Sequence, residues 1–328
     1  MRNRWLALGS AAFAVLLAPA PAMSGEAVDY ASAIPVWQAH EARLLSIGWR
    51  LARANAALCQ RSPSAIGLML GHVRQFKDPD RARAALGTIG DVIVEAVAAG
   101  SPAQAAGLRA SVQVLAIGGR AVTTLAEPQA RGDAAADGLH DQIDSQLAAS
   151  GRVTLRVAAR GEAPRDVTVV GEPACRARFA MLKAGTTAGT RGYIIEIAVQ
   201  LLAETPSDDE AATMVAHELA HNIFGHWQHT LATGKNNYVA IRRSEREADR
   251  MAPWLMANAG YNPAAAPRFF AAWGPRHSGG MTRAPTHDSW QERVAAVAAE
   301  LPAIADARRA PGSPPADWRA RFPGPQAE

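Results

Sequence analysis

The chain has 328 residues, 48% of them hydrophobic and 20% charged, which excludes a disordered protein and is enough for two domains with cores of their own. Its formal net charge is +4, and the basic residues are scattered with no aromatic-interleaved cluster, so nucleic acid is excluded as a partner. Only two cysteines occur, Cys59 and Cys175, and their spacing is not that of a metal site.

Met1-Arg2-Asn3-Arg4, the apolar run Trp5 to Ala18 and Ala20-Pro21-Ala22 have the basic, apolar and small-residue regions of a secretory signal. Cleavage after Ala22 is expected, because a cut after Ala20 would place proline next, and it removes Arg2 and Arg4 to leave a net charge of +2. The run is too short for a comfortable membrane span of about 20 residues, so an uncleaved anchor is the lesser reading. No cysteine follows as a lipoprotein would need. The mature chain is thus expected across the inner membrane, in the periplasm. In an oxidising compartment two cysteines most often pair, so a Cys59–Cys175 disulfide is expected, with two separate buried thiols as the alternative. Closing so long a loop adds about 4 kcal/mol in the chain-entropy model.

Residues 23–63 read as a helical part of the domain that follows later in the chain. From Val36 to Ala57, and on to Leu58, the residues Leu44, Leu45, Ile47, Trp49, Leu51, Ala52 and Leu58 form a stripe that must pack on a core. It ends before Cys59 and the Arg61-Ser62-Pro63-Ser64 break. Residues 64–172 have a different texture. Asp91 to Val97 alternates like a strand, Gly100-Ser101-Pro102-Ala103 turns into a short helix, and Val112 to Ile117 is a second strand. Ala134 to Ala149 is helical, and Val153–Val157 and Asp166–Val170 are strands around the Arg160-Gly161-Glu162 turn. This order, with GSPAxxAGL at Gly100–Leu108, resembles a PDZ domain of the bacterial protease type, although such domains usually carry Gly-Asp where this chain has Ser111-Val112. The resemblance implies that a C-terminal peptide adds beside the first strand, its carboxylate held by N–H groups of a glycine-containing loop. Ser64 to Leu70, with Gly67, is the candidate stretch, and a bulge at Gly67 that binds nothing is the alternative. A Cys59–Cys175 bond would clamp both connections of this segment to its host.

Gly189 to Glu204 reads as a strand, Tyr193 to Ile197, running into an apolar helix. Ala211 to His226 then contains His217-Glu218-Leu219-Ala220-His221, the HExxH pattern. Residues four apart on a helix are offset by roughly 40°, so both imidazoles leave one face and can share one metal ion. With Glu218 beside them the site can hold a water, lower its pKa toward about 7 and take its proton, which is hydrolytic chemistry. Ser207-Asp208-Asp209-Glu210 reads as a capping box, and Val215, Leu219 and Ile223 as a buried stripe. Phe224 and Trp227 stand where a metzincin needs Gly and His. A second helix opening at Ser244 carries Glu245 and Asp249 at i, i+4: a carboxylate from it would complete a His2Glu set, and Asp249 is placed to accept the far N–H of a ligating histidine. For Glu247 and Arg246 an exposed helix face is a serious rival reading.

HELAH followed by His226, then ExEAD, Gly260-Tyr261-Asn262-Pro263 with Phe269-Phe270, and Thr286-His287 with Arg293 six residues on, resembles metallopeptidase family forty-eight, the CAAX prenyl protease type and its bacterial periplasmic relatives. The likeness spans Asp208 to about Val297. It implies an α+β fold, a mainly helical zincin of the gluzincin kind with a small sheet over residues 173–300, holding one Zn2+ per chain through His217, His221 and Glu245. It places His287 and Arg293 over the active site as catalytic groups beside Glu218. His287 would either fill the open metal position as a latch or join Arg293 in steadying an oxyanion. Asp288 stands where the family has proline, and Val294 where it has isoleucine. The family also implies an edge strand that pairs with extended substrate, which puts Tyr193, Ile194 and Ile195 forward as substrate-binding residues, and protein or peptide substrates with peripheral membrane association left open. The expectation is a zinc endopeptidase of the cell envelope serving protein quality control. A PDZ-bearing adaptor with a latent zincin part would need no intact Glu218, and an aminopeptidase would show residues for the substrate amine. The Pro, Ala and Arg-rich tail, 301–328, reads as disordered.

Overall fold

The computed structural model describes residues 28–125, 134–234, 238–277, 286–308 and 315–322; the expected signal segment lies outside them. Helix α1 (Tyr30–Ala54) starts at Asp29, whose side chain accepts the Ala31 N–H. Pro35 lies inside it, which is why the sequence pattern places its start at Val36. After α1 come β1 (Ser64–Ala65), β2 (Leu68–His72), α2 (Pro79–Leu86), β3 (Val92–Val97), α3 (Pro102–Ala105), β4 (Gln113–Ile117), β5 (Arg120–Ala121), α4 (Ala134–Ser150), β6 (Arg152–Ala158), β7 (Arg165–Val170) and β8 (Glu172–Pro173). One sheet runs β2-β3-β4-β6-β7, with β5 paired to β4, all antiparallel. Leu139, Ile143 and Leu147 of α4 pack with Val114, Ile117, Leu155 and Val169 in its core.

Strand β3 shows how α1 joins the two parts of the molecule. Val92 and Val94 face the core of the β-rich unit, whereas Ile93 faces a small cluster with Tyr30 and Ile34 of α1, Val73, Ala82 and Leu86. Both faces of the strand are therefore buried. The other half of α1, from Leu44 to Ala52, packs in the main helical core. Ser111, in the turn before β4, has φ 66, the left-handed conformation that glycine adopts freely. Its hydroxyl donates to Gln38 Oε1 of α1 at 2.9 Å, which helps hold a serine there.

The β-rich unit leaves and re-enters its host through a narrow neck. Ser64 pairs with Pro173 and Ala65 with Glu172, and Cys59 and Cys175 form the expected disulfide, their Cα atoms 5.6 Å apart. Cys175 N–H donates to Ala52 O at 3.0 Å, fastening the return point to α1.

The rest consists of β9 (Arg178–Leu182), β10 (Ala188–Arg191), β11 (Ile194–Ala198), α5 (Val199–Ala203), α6 (Asp208–Phe224), α7 (His226–Thr233), α8 (Tyr238–Asn258), α9 (Ala265–His277), α10 (Trp290–Ala298) and α11 (Leu301–Ala307). Three strands in the order β10-β11-β9 lie beside α1 and α6. A Cβ on Gly48 of α1 would sit 2.3 Å from the Phe179 ring of β9, so glycine sets how closely helix and strand approach. Arg43 of α1 binds Asp208 at the start of α6 and the carbonyls of Leu202 and Thr205. The structure is thus α+β with several sheets.

Two expectations are corrected. Ser207 sits at the N-cap of α6 but its side chain makes no capping bond; Asp208 and Asp209 turn outward to Arg43 and the Asn262 N–H. The capping box occurs instead at Ser289 and Glu292 of α10. The tail expected to be disordered begins with α11, and Trp318 and Phe322 are 3% and 5% exposed within the main core. Arg250, Trp254 and Arg321 converge on buried Glu300, and Asn258 makes two hydrogen bonds to the Ala316 backbone. Two aromatic anchors and these polar partners outweigh the disorder-prone composition. Among the described residues no helix is long and apolar enough to cross a membrane.

Candidate metal centre

Helices α6 and α8 pack side by side and carry the site between them. Three acids in the first turn of α6 complement its positive end, and Gly225, with φ 66, ends it. Helix α8 starts at Tyr238 rather than Ser244, so Glu245 and Asp249 lie well inside a regular helix, where their positions are fixed. His217 and Glu218 are buried, at 8% and 7% exposed, and Asp249 at 3%.

The donor atoms converge. His217 Nε2 lies 3.1 Å from His221 Nε2 and 3.2 Å from Glu245 Oε2, and His221 Nε2 lies 3.5 Å from Glu245 Oε1. One ligand atom from each of these three residues falls within 4.8 Å of the others, a group able to hold a metal ion. His217 Nδ1 stands 2.9 Å from Asp249 Oδ1, and Asp249 accepts two hydrogen bonds from Arg293, at 2.6 and 2.7 Å. The Arg293 guanidinium stacks 4.1 Å above Phe270. On the other side His221 Nδ1 meets His226 Nδ1 at 2.9 Å. Thr190 of β10 donates to Glu218, with Oε2 at 2.9 Å.

Electrostatics at this point demands positive charge. Burial works against a charged His217, but Asp249 and Glu245 outweigh it and push its pKa up to about 10. Burial likewise opposes ionisation of Glu245, and the imidazoles of His217, His221 and His287 outweigh it, holding the carboxyl well below its usual range. Asp249, also buried, is held down chiefly by Arg293 and His217. Glu245 Oε2 is sealed from solvent without a well-directed hydrogen bond, although imidazoles stand around it. A divalent cation among two ring nitrogens and a carboxylate would satisfy that oxygen and replace the proton, and such a mixed N/O set suits zinc.

His287 approaches from the loop before α10, its Nε2 3.0 Å from Glu245 Oε2 and its Nδ1 2.9 Å from Thr286 Oγ1. Neighbouring Asp288 takes two hydrogen bonds from Arg246, at 2.5 and 2.8 Å, and lies 3.8 Å from Arg242. Asp288 therefore ties this loop to α8.

The expected substrate-pairing strand is corrected. Strand β11 is the middle strand of its sheet, paired with β10 on one side and β9 on the other, so its backbone has no free edge to offer. Ile195 is fully buried in the core. Tyr193 lies under the Arg176 and Arg178 guanidinium groups, and its carbonyl accepts from Arg178 N–H and Asn222. Among the described residues, the unpaired edge of this sheet near Glu218 belongs to β10. Gly67, with φ 65, links β1 to β2; the irregularity in β2 itself falls between Met69 and Leu70. Gly67 and Ile194 both line a cavity of about 510 Å³ between the edge strand β2, α4, α1 and β9. Arg178 spans its rim to Asp141 and Asp144 of α4, at 2.6 Å each.

Thr190, Glu247 and the Arg246–Asp288 pair were not identified from sequence. Glu247 and Arg246 read equally well as an exposed helix face, because the residues that Glu247, Thr190 and Arg246 meet lie 21 to 42 positions away. No protein-family model, no curated protein and no solved structure matches this chain.

Proposed function

We propose that the protein is a zinc-dependent endopeptidase of the cell envelope, hydrolysing peptide bonds of protein substrates in the service of quality control, with a zincin catalytic part interrupted by a PDZ-like unit. The observation that carries this reading is the convergence of His217, His221 and Glu245 with Glu218 one position along α6 and an open strand edge, β10, next to it. When bound, a zinc ion would supply Lewis-acid polarisation of the scissile carbonyl and acidify a water. Glu218 takes a proton from the attacking water and returns it to the leaving amine. Thr190 holds Oε2 of that carboxylate, which leaves Oε1 to handle the proton. Extended substrate adds to β10 by backbone hydrogen bonds. Arg293, occupied by Asp249, acts by fixing the acid behind His217, and half-exposed His287 stands at the mouth of the site. The disulfide fits an oxidising compartment such as the periplasm.

The cavity along β2 supports peptide binding at the inserted unit, since β2 is a sheet edge with mainly apolar walls beside it.

The test measures metal content and casein hydrolysis for the mature protein and for Glu218→Gln. Stoichiometric zinc in both, with hydrolysis about 1,000-fold or more lower in the variant, is expected, since the ligands stay and the base is lost. Equal activity in the two sinks the peptidase reading.

A further inference from the structure

Hydrolysis as proposed makes no use of one partly buried pair beside the donor group, His226 and Glu247. Gly225 ends α6 in a left-handed conformation and turns the chain so that His226, the first residue of α7, folds back onto His221. The two rings meet edge to face, 4.9 Å between centroids, with Nδ1 to Nδ1 at 2.9 Å. On its far side His226 Nε2 lies 3.2 Å from Glu247 Oε2 of α8, and Arg243 Nε donates to Glu247 Oε1 at 3.2 Å. Phe224 flanks the His226 ring, 5.2 Å between centroids, and the His226 side chain is only 10% exposed.

Hydrogen-bond chemistry leaves a single proton arrangement here once an ion is bound. The His221 Nε2 faces His217 and Glu245, so that nitrogen gives its lone pair to the ion. A neutral imidazole must then carry its proton on Nδ1. That proton points at His226 Nδ1, which must accept, so the His226 proton sits on Nε2 and is donated to Glu247. Glu247, fixed by Arg243, is an acceptor only and closes the series.

We propose that His226, oriented by Glu247, is a positioning residue that sets the tautomer and ring orientation of the metal ligand His221. His217 has a direct counterpart in Asp249, itself held by Arg293. Each ligating histidine is thus backed by an acid anchored on an arginine, directly for His217 and through an interposed imidazole for His221. A ligand held this way loses less freedom on binding an ion and is more basic toward it.

The inference rests on the metal-site reading, and the experiment separates the two. Chelator-stripped protein is titrated with Zn2+ against a chromophoric chelator and, separately, with Co2+ while its visible spectrum is recorded. His226→Phe keeps a flat ring against Phe224 but removes the acceptor; His226→Asn keeps an oxygen near the place of Nδ1. The Phe variant is expected to bind Zn2+ about 10- to 100-fold more weakly with an altered Co2+ spectrum, and the Asn variant to recover most of both. A merely structural histidine would lower the melting temperature of the stripped protein and leave affinity and spectrum unchanged. Wild-type affinity in folded His226→Phe, or equal weakening in both variants, overturns the proposal. Should the Phe variant not fold, Glu247→Ala takes its place: weakened Zn2+ binding is expected, and unchanged binding overturns the idea. Failure of the wild-type protein to bind either ion overturns the metal reading itself, and this proposal with it.

Discussion

The candidate metal centre and the cavity at β2 are built by opposite means. In the candidate centre, the helices α6 and α8 supply the three side chains able to hold a metal ion, each from a position fixed by helical spacing, and the buried Asp249–Arg293 pair locks His217. The cavity is walled by α1, β2, α4 and β9, which the chain reaches more than 100 residues apart, and its wall is mostly apolar. A site that must place charges within fractions of an ångström uses rigid helices and paired polar groups. A site that receives an extended chain can be left where two units meet, because backbone edges and apolar walls tolerate variation.

That contrast can be broken at either region. The largest effect is expected at Glu245. Zinc sites bind with about 10–16 kcal/mol over four ligands, so losing one removes roughly 3 kcal/mol, a hundredfold or more in affinity. Glu245→Ala should therefore lose zinc on dialysis; stoichiometric zinc retained in that variant would reassign the third ligand. At the junction, replacing Cys59 and Cys175 together by serine is expected to lower stability by about 2–4 kcal/mol, toward the low end because the β1–β8 pairing already closes the neck. Denaturant unfolding of the metal-free protein reads this, and an unchanged midpoint would show that the neck alone suffices.

A smaller effect sharpens the comparison through pH. His140 of α4 accepts the Leu70 N–H through Nε2 at 3.2 Å, capping a group on the edge strand β2. Burial, with Arg178 of β9 adding to it and Asp144 opposing, pushes its pKa down to about 4. The folded protein keeps this ring neutral while the unfolded chain protonates it near pH 6.5, so between those values the unfolded state binds more protons. Its stabilising contribution is complete above about pH 6.5 and falls as pH drops toward 4, by about 2 kcal/mol at pH 5. His140→Gln should flatten this part of the pH dependence in metal-free protein; the same slope in both proteins refutes the assignment.

The smallest effect is expected at the loop that carries His287. Removing the imidazole (His287→Ala) or releasing the loop from Arg246 (Asp288→Asn) should both raise initial rates on unfolded casein, by less than about tenfold, with zinc unchanged. A fall in rate for His287→Ala would make it a group that steadies the transition state.

How much of this was legible beforehand differs between the two regions for the same reason. That His217, Glu218 and His221 share one helix, and that Glu245 and Asp249 share a face of the next, could be read from spacing, because helical geometry makes near neighbours in sequence near neighbours in space; joining Glu245 to the two histidines rested on the family resemblance. The disulfide followed from the count of cysteines. The sequence also announced the strands and helix of the inserted unit through period-two alternation and turn residues. It could not show that Tyr193 to Ile197 would become a middle strand, since β9 and β10 take their places on either side only when the sheet assembles. It could not show that Trp318 and Phe322 would close the core, because two aromatics in a Pro and Ala-rich stretch carry no periodicity. Nor could it show that Glu247, which spacing alone marks as a surface residue, would meet His226. Strand neighbours, the burial of isolated aromatics and the partners of single charges are contacts between distant segments, and only the folded chain brings those segments together.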